Sequence, residues 1–380
     1  MISKKIDDLL TPKKKEGCLI LNQNLPKYLA VSEWMKQQIY HHRFKAGEKL
    51  ISENQLCEKF SISRQTARQA IAVLEKEGLV LKKQGSGTYV NPDFIRLKAD
   101  SKTIGLVIDS MDNFLFSEII SEIEDVLSAN DYHTILRLTR NKVNHEREQL
   151  LTLLDSDIDG LIVQGTKSAL PNPNLDIYEQ FTERGIPVIF INNYYPSLNC
   201  NYIVVDDELG GRLATKHLIE KGHERITGIF KYDDLQGSLR YKGFLTEMYH
   251  HHLSVDESSI IWYSTEDMNR QFSLDQDHSL LTKLRHCTAI ICHNDQIAMK
   301  LMNLLAHQQL SVPNDLSIIS FDNSTLCELG TVTLTSVSHP KGDLGRLAAE
   351  SLLTMIENQA FEIKHLYKPE LIIRESVKKL

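Results

Sequence analysis

Ser63-Arg64-Gln65-Thr66-Ala67-Arg68-Gln69-Ala70-Ile71-Ala72-Val73-Leu74 is the stretch on which the architecture turns. Ser63 is a good N-cap; Ala67, Ala70, Ile71 and Leu74 share one helical face, and Gln65, Arg68 and Gln69 lie away from it. That polar face is not acidic. Upstream, Ser52-Glu53-Asn54-Gln55 has the form of a capping box ahead of Leu56, Cys57 and Phe60. Before it, Tyr28, Val31, Trp34, Met35 and Ile39 recur at helical spacing after Leu25-Pro26. Downstream, Lys76-Glu77-Gly78 stops the helix, and Leu79-Val80-Leu81 and Thr88-Tyr89-Val90 bracket a Gln84-Gly85-Ser86-Gly87 turn. Three helices followed by a two-stranded hairpin make a winged helix-turn-helix over residues 25–90.

Such a helix is suited to a nucleic-acid duplex. Its free N-terminal N–H groups and its dipole favour a phosphate, with Arg64 and Thr66 in the first turn. Arg68 lies one turn further on, where a guanidinium can fork onto a guanine edge in the major groove. In the hairpin, Gly85 and Gly87 let backbone approach DNA without a Cβ, Gln84 can reach a groove and Thr88 a phosphate. The alternatives are an arginine in ordinary surface ion pairs and a plain tight turn; the agreement of helix, turn, wing and charge favours DNA.

The whole-chain charge of −7 argues against that partner until it is divided. Residues 1–98 carry 18 Lys and Arg against 10 Asp and Glu, a net of +8, leaving 25 against 40, or −15, for residues 99–380. A basic head on an acidic body is expected when one end touches phosphate and the other does not. Residues 1–24, centred on Lys13-Lys14-Lys15, read as a basic mobile tail, and the charged stretch after Asn91-Pro92 reads as a linker to residue 102. No stretch approaches the ~20 apolar residues that span a bilayer, and the N-terminus lacks a secretory pattern, so a cytoplasmic protein is expected.

From residue 103 to 380 the rhythm alternates between strand-like runs, such as Ile104–Ile108, Gly160–Val163 and Ala289–Cys292, and amphipathic helices, such as 116–129, 237–248 and 344–357. Repeated strand-helix units call for parallel sheets covered on both faces, and nearly 280 residues call for two lobes with a cleft between them. Enzymatic motifs are missing: there is no G-x-S-x-G elbow, Walker loop or dinucleotide fingerprint, and His145-Glu146-Arg147-Glu148-Gln149 only mimics a zincin helix. The six cysteines are scattered without a C-x-x-C and read as reduced thiols, and His250-His251-His252 reads as a surface cluster rather than a metal site. No catalytic residue, metal or cofactor is expected. Polar residues do stand at strand ends, Asn192, Asn294, Asp295 and Asp322, where they could either bind a small polar ligand or cap helices.

Residues 25–90, with Ser52-Glu53, Ser63–Arg68 and Gln84–Thr88, resemble the winged-helix domain of the gluconate-repressor (GntR) family. Residues 103–380 resemble the sugar-binding regulatory domain of the lactose- and galactose-repressor family, itself similar to periplasmic sugar-binding proteins. The markers are Asp159-Gly160-Leu161-Ile162, Arg240 with Gly243-Phe244, His293-Asn294-Asp295 and Phe321-Asp322-Asn323. This unusual combination resembles the arabinose-repressor family of Gram-positive bacteria. The resemblance implies that Lys27, Glu53, Arg64, Gln65, Thr66, Arg68, Gln84, Gly85, Gly87 and Thr88 meet double-stranded operator DNA. It implies that Arg240, Asn294 and Asp322 bind the effector, with Asn192 and His339 as further polar contacts and Lys167, Phe114 and Phe116 as weaker candidates. Asn323 departs from the family, which usually has a second Asp there. The expectation is therefore a homodimeric repressor released from DNA by L-arabinose. The alternatives are a hybrid regulator answering to another sugar or nucleoside, or a binding protein or enzyme that merely carries a basic head.

Overall fold

The computed structural model describes residues 26–40, 44, 47–83, 86–91, 101–111, 114–273 and 279–380. The expected tail, most of the expected linker, and Gln84 and Gly85 lie outside the described residues. The chain divides into two compact units, residues 1–100 with 183–185, and residues 101–182 with 186–380.

In the first unit, helices α1 (Lys27–Tyr40), α2 (Glu53–Phe60) and α3 (Arg64–Lys76) precede strands β1 (Val80–Lys83) and β2 (Gly87–Val90). The capping box forms: Ser52 N–H donates to Gln55 Oε1 at 2.8 Å and Gln55 N–H to Ser52 Oγ at 3.3 Å. Ser61 takes a left-handed conformation at φ 50° to close α2, which turns the chain into α3. Val31, Trp34, Met35, Leu56, Leu74, Leu79 and Val90 form the core, and Ala67 and Ala70 keep the α3 contribution small. The antiparallel wing runs in register from Val80 opposite Val90 to Lys83 opposite Gly87.

The second unit begins with β3 (Thr103–Ile108), α4 (Phe114–Ala129), β4 (His133–Leu138), α5 (Val143–Leu154), β5 (Gly160–Val163), α6 (Leu175–Glu183), β6 (Val188–Ile191) and β7 (Asn201–Val205). A second lobe follows with α7 (Asp207–Glu220), β8 (Ile226–Lys231), α8 (Leu235–His250), β9 (Ile261–Tyr263), α9 (Met268–Gln271) and α10 (Ser279–Leu284). It continues with β10 (Ala289–Cys292), α11 (Asp295–His307), β11 (Ser317–Asp322), α12 (Leu326–Leu329) and β12 (Thr335–Ser338). The chain returns to the first lobe as α13 (Lys341–Glu357) and β13 (Lys364–Tyr367), then crosses back as β14 (Leu371–Ile372).

Each lobe is one six-stranded sheet, ordered β13-β7-β6-β5-β3-β4 in the N-lobe and β14-β12-β11-β10-β8-β9 in the C-lobe. All pairings are parallel except β12 with β14. Strands β5, β6, β10 and β11 are buried along their whole length, as helices on both faces require. The crossings at Val205–Asp207, Ser338–Lys341 and Tyr367–Leu371 make a three-stranded hinge at one edge of both sheets. It is tied by Asp206 N–H to Tyr367 O at 2.8 Å and Ser338 N–H to Glu370 O at 2.7 Å.

Periodicity in the sequence does not announce β7, β12, β13, β14 or α6. These elements are short, and β13 (Lys-His-Leu-Tyr) exposes alternate side chains at a sheet edge; it becomes a strand by pairing with β7, far away in the chain. Among the described helices none is long and apolar enough to cross a membrane.

Candidate functional site

The first unit presents an exposed polar face. Ser63 caps α3, accepting from Thr66 N–H at 3.2 Å, so that Arg64, Gln65 and Thr66 occupy the first turn with Arg64 and Gln65 exposed. Arg68 follows on the same outward side, and its Nε donates to Glu53 Oε2 of α2 at 3.0 Å. One edge of the guanidinium is thereby held, and the side chain is aimed outward while staying two-thirds exposed. Lys27 lies exposed at the start of α1, and Gly87 and Thr88 open β2, Gly87 with φ 127°, which a side chain would strain.

In the second unit the polar strand ends converge on Arg240 of α8. Its Nε donates to Asp207 Oδ1 at 2.7 Å, Nη1 donates to the His293 carbonyl, and Nη2 lies 3.6 Å from Asp322 Oδ1. The guanidinium also stacks over the Phe321 ring, 4.3 Å from its centroid. Glycines make this possible. A Cβ on Gly211 of α7 would strike the Arg240 carbonyl and one on Gly243 of α8 the Glu208 carbonyl, so the two helices meet backbone to backbone. Burial pushes the carboxyls of Asp207 and Asp322 above the ordinary range, with Arg240 opposing the shift.

His339, at the hinge, bridges the lobes. Its Nδ1 accepts from Lys341 N–H at 3.0 Å, which makes Nε2 the protonated nitrogen, donating to Asn192 Oδ1 at 2.8 Å. Burial, with Arg240 and Lys341 nearby, lowers its pKa to about 3, and the ring is neutral. The Asn192 amide nitrogen remains for a ligand. A recess is lined by Asn192, Asn193 and Tyr194 from the N-lobe and Leu235, Gln236 and Leu239 from α8, with Asp207 on its wall. Asp207 is shared with a much smaller, water-sized recess lined by Arg240, Asp322 and His339.

Several expected contacts are placed differently. Phe116 is corrected: it is 1% exposed in the N-lobe core with Leu344, Ala348 and Leu352 of α13, because the α4 apolar face is needed to cover the sheet. Phe114 begins α4. Asn294 caps α11, its side-chain oxygen accepting from Ile297 N–H at 3.0 Å, one residue beyond the His293 carbonyl that binds Arg240. Lys167 Nζ lies between Asp233 Oδ2 at 3.0 Å and Glu266 Oε2 at 2.9 Å, spanning the cleft. Asn323 is not idle: its Oδ1 accepts from Arg374 Nη2 at 2.9 Å, a bond a carboxylate could also make. Glu146, in the zincin-like run, is a buried acceptor for Tyr178, Tyr195, Asn172 and Asn174.

Comparison with known proteins matches the two units to two families. Residues 27–90 match the bacterial regulatory proteins of the gntR family, and residues 215–377 match a periplasmic binding protein-like domain. The arabinose metabolism transcriptional repressor of Geobacillus stearothermophilus is 37% identical over 361 residues, covering 94% of this chain and 99% of the relative. The chain belongs to the arabinose metabolism transcriptional repressor family. The member from Halalkalibacterium halodurans is 36% identical over 92% of this chain and 96% of its own. The second unit is similar to a periplasmic binding protein/LacI transcriptional regulator of Alkaliphilus metalliredigens complexed with D-xylulofuranose. That structure has 28% identity and a TM-score of 0.63, with 73% of this chain and 99% of that one covered.

A transcriptional repressor of this family is a regulator and not an enzyme, in keeping with a cleft built to bind. Sequence reasoning about the repressor missed Asp207, Asn193 and Gln236, which line the recess or hold Arg240. Asp207 follows an N-cap, Asp206, and two adjacent aspartates before a helix read as capping. Asp295 is fully buried, accepting from Ser320, Ser324 and Ser336, and it fixes the turn in which Asp322 and Asn323 stand at φ 96° and 44°.

Proposed function

We propose that this repressor binds operator DNA through α3 and the wing and is released when L-arabinose occupies the cleft beside Arg240. The observation that carries the reading is one buried guanidinium between two buried carboxylates at the junction of two lobes. Sugar hydroxyls can accept from the guanidinium and donate to the carboxylates, and an epimer that leaves one of these groups unpaired is rejected. Arg240 and Asp322 carry recognition, Asn192 and Asn294 offer amide nitrogens, and His339 holds Asn192. The assignment of arabinose is supported by the names of the relatives.

On DNA, Arg68 reads a base edge with Glu53 orienting it. Arg64, Gln65, Thr66 and Thr88 meet the groove or backbone, Gly87 admits the wing, and Lys27 touches phosphate. Gln84 and Gly85 belong to the same contact. Residues 25–90 act as the DNA-binding domain, 91–102 as linker and 103–380 as effector and dimerisation domain, in a cytoplasmic homodimer on a two-fold operator. No cofactor takes part. Sugar lowers DNA affinity only to the extent that it binds the released arrangement more tightly.

A second reading, another pentose or a pentulose as effector, is favoured by the likeness to the D-xylulofuranose complex. An operator-binding titration with and without each sugar separates them. We expect L-arabinose to weaken DNA binding and Arg68→Ala to weaken it about tenfold or more without sugar. Release by another pentose but not by L-arabinose sinks the arabinose assignment. Unchanged binding of Arg68→Ala sinks the recognition helix.

A further inference from the structure

The hinge lies at one edge of both sheets, formed by the ends of β7, β12, β13 and β14. At the opposite edge, where β4 and β9 are the outermost strands, the loops after β4, β5, β8 and β9 meet across the cleft. Asp233, with no exposed side-chain surface, is the centre of this meeting. Its Oδ2 accepts from Lys167 Nζ at 3.0 Å and Asn141 Nδ2 at 3.2 Å from the N-lobe, and from Thr265 N–H at 3.2 Å in its own lobe. Asn141 Nδ2 also reaches Thr265 Oγ1 at 2.5 Å, Lys167 pairs with Glu266 at 2.9 Å, and Leu235 N–H donates to Ser168 Oγ at 2.9 Å. Asn141 Oδ1 accepts from Lys167 N–H at 2.8 Å, tying the two N-lobe loops together. Both N-lobe partners, Asn141 at φ 51° and Lys167 at φ 45°, sit in the left-handed region that non-glycine residues avoid, and Arg140 beside them does so at φ 53°.

We propose that Asn141, Lys167 and Ser168 of the N-lobe and Asp233, Thr265 and Glu266 of the C-lobe form a clasp that holds the cleft shut and thereby sets effector affinity. None of these six residues lines the recesses beside Arg240 and Asn192, so the clasp acts on the cleft and not on the ligand. Bonds at the edge remote from a hinge stretch most when the lobes part, which gives them the greatest leverage on opening. The apparent affinity of a ligand scales with the fraction of protein already in the competent closed form. Breaking the clasp lowers that fraction and weakens the effector without removing any contact to it. The affinity arm rests on the sugar reading above, whereas the closure itself does not.

The test uses the full-length, effector-free protein and its Asn141→Ala, Asp233→Asn and Glu266→Gln variants. Hydrogen exchange is read at the Lys167 and Leu235 amides, and L-arabinose affinity is read by calorimetry. We expect Asp233→Asn to raise exchange at both amides and weaken L-arabinose about tenfold, and Glu266→Gln, at a half-exposed carboxylate, to do so two- to threefold. The Asn141→Ala/Asp233→Asn double variant should lose little more than Asp233→Asn alone, since both act on one device. Unchanged exchange in all three variants, or losses that multiply in the double variant, overturns the clasp. Should Asp233→Asn fail to fold, the Glu266→Gln and Asn141→Ala pair decides in the same way. If the unaltered protein does not bind L-arabinose, the effector assignment falls and the exchange data alone decide the clasp.

Discussion

His339 has both ring nitrogens committed, one to Lys341 N–H and one to Asn192, and is held neutral in the fold by burial with Arg240 and Lys341 at hand. A histidine with pKa about 3 folded and about 6.5 unfolded binds fewer protons in the native state. Its contribution is complete above pH 6.5 and is lost as pH falls towards 3, at about 1.4 kcal/mol per pH unit. Asp322 works with the opposite sign, because a raised carboxyl takes up protons in the fold first. The comparison that isolates the histidine is therefore with His339→Gln. Between pH 6.5 and 5 the unaltered protein should lose melting temperature faster than the variant, by about 3–4 °C per pH unit. Parallel curves would mean that the ring is not held neutral. Chemistry at this level was partly legible in the sequence: Arg240, Asp322, Asn192 and His339 were named and do stand together, whereas Asp207 was not singled out and Phe116 looked like a ligand contact. A helical aromatic facing a sheet and one facing a cleft have the same sequence signature.

Helices α7 and α8 meet through Gly211 and Gly243, and this packing delivers Arg240 to Asp207. A methyl at Gly243 meets the Glu208 carbonyl and the Arg212 amide, which are backbone and cannot swing away. Gly243→Ala should then cost about 1–3 kcal/mol and impair effector binding, because the helices must separate. Gly342→Ala is the control. The neighbour there is the Glu122 side chain, and we expect a change within about 0.5 kcal/mol. Denaturant unfolding of the two variants checks the contrast, and equal losses would remove the close-packing argument. Long amphipathic helices and fully buried strands were readable from their periods. Strands β7, β12, β13 and β14 were not, since a strand of two to five residues is selected by its partner more than by its own residues.

Across the whole molecule, charge is divided by role, with +8 in residues 1–98 and −15 in the remainder. Operator binding neutralises phosphates, whereas an uncharged sugar in a buried cleft displaces no counterions. With Lys27, Arg64 and Arg68 exposed on each head, and two heads per operator in the proposed homodimer, the log–log slope of DNA affinity against salt should be roughly −5. Sugar affinity over the same range should stay within about a factor of two. Anisotropy titrations for DNA and calorimetry for sugar check this, and matching salt dependences would contradict the division. Local signals determined the helix-turn-helix, the alternation of strands and helices, and the separation of basic head from acidic body, because caps, periods and charge runs are properties of neighbouring residues. Only the tertiary structure decided that Asp207 embraces Arg240, that Phe116 is core, and that Lys167 spans the cleft. Those outcomes depend on which segments converge, 33 residues apart for Asp207 and Arg240 and 66 for Lys167 and Asp233, and no local pattern encodes that distance.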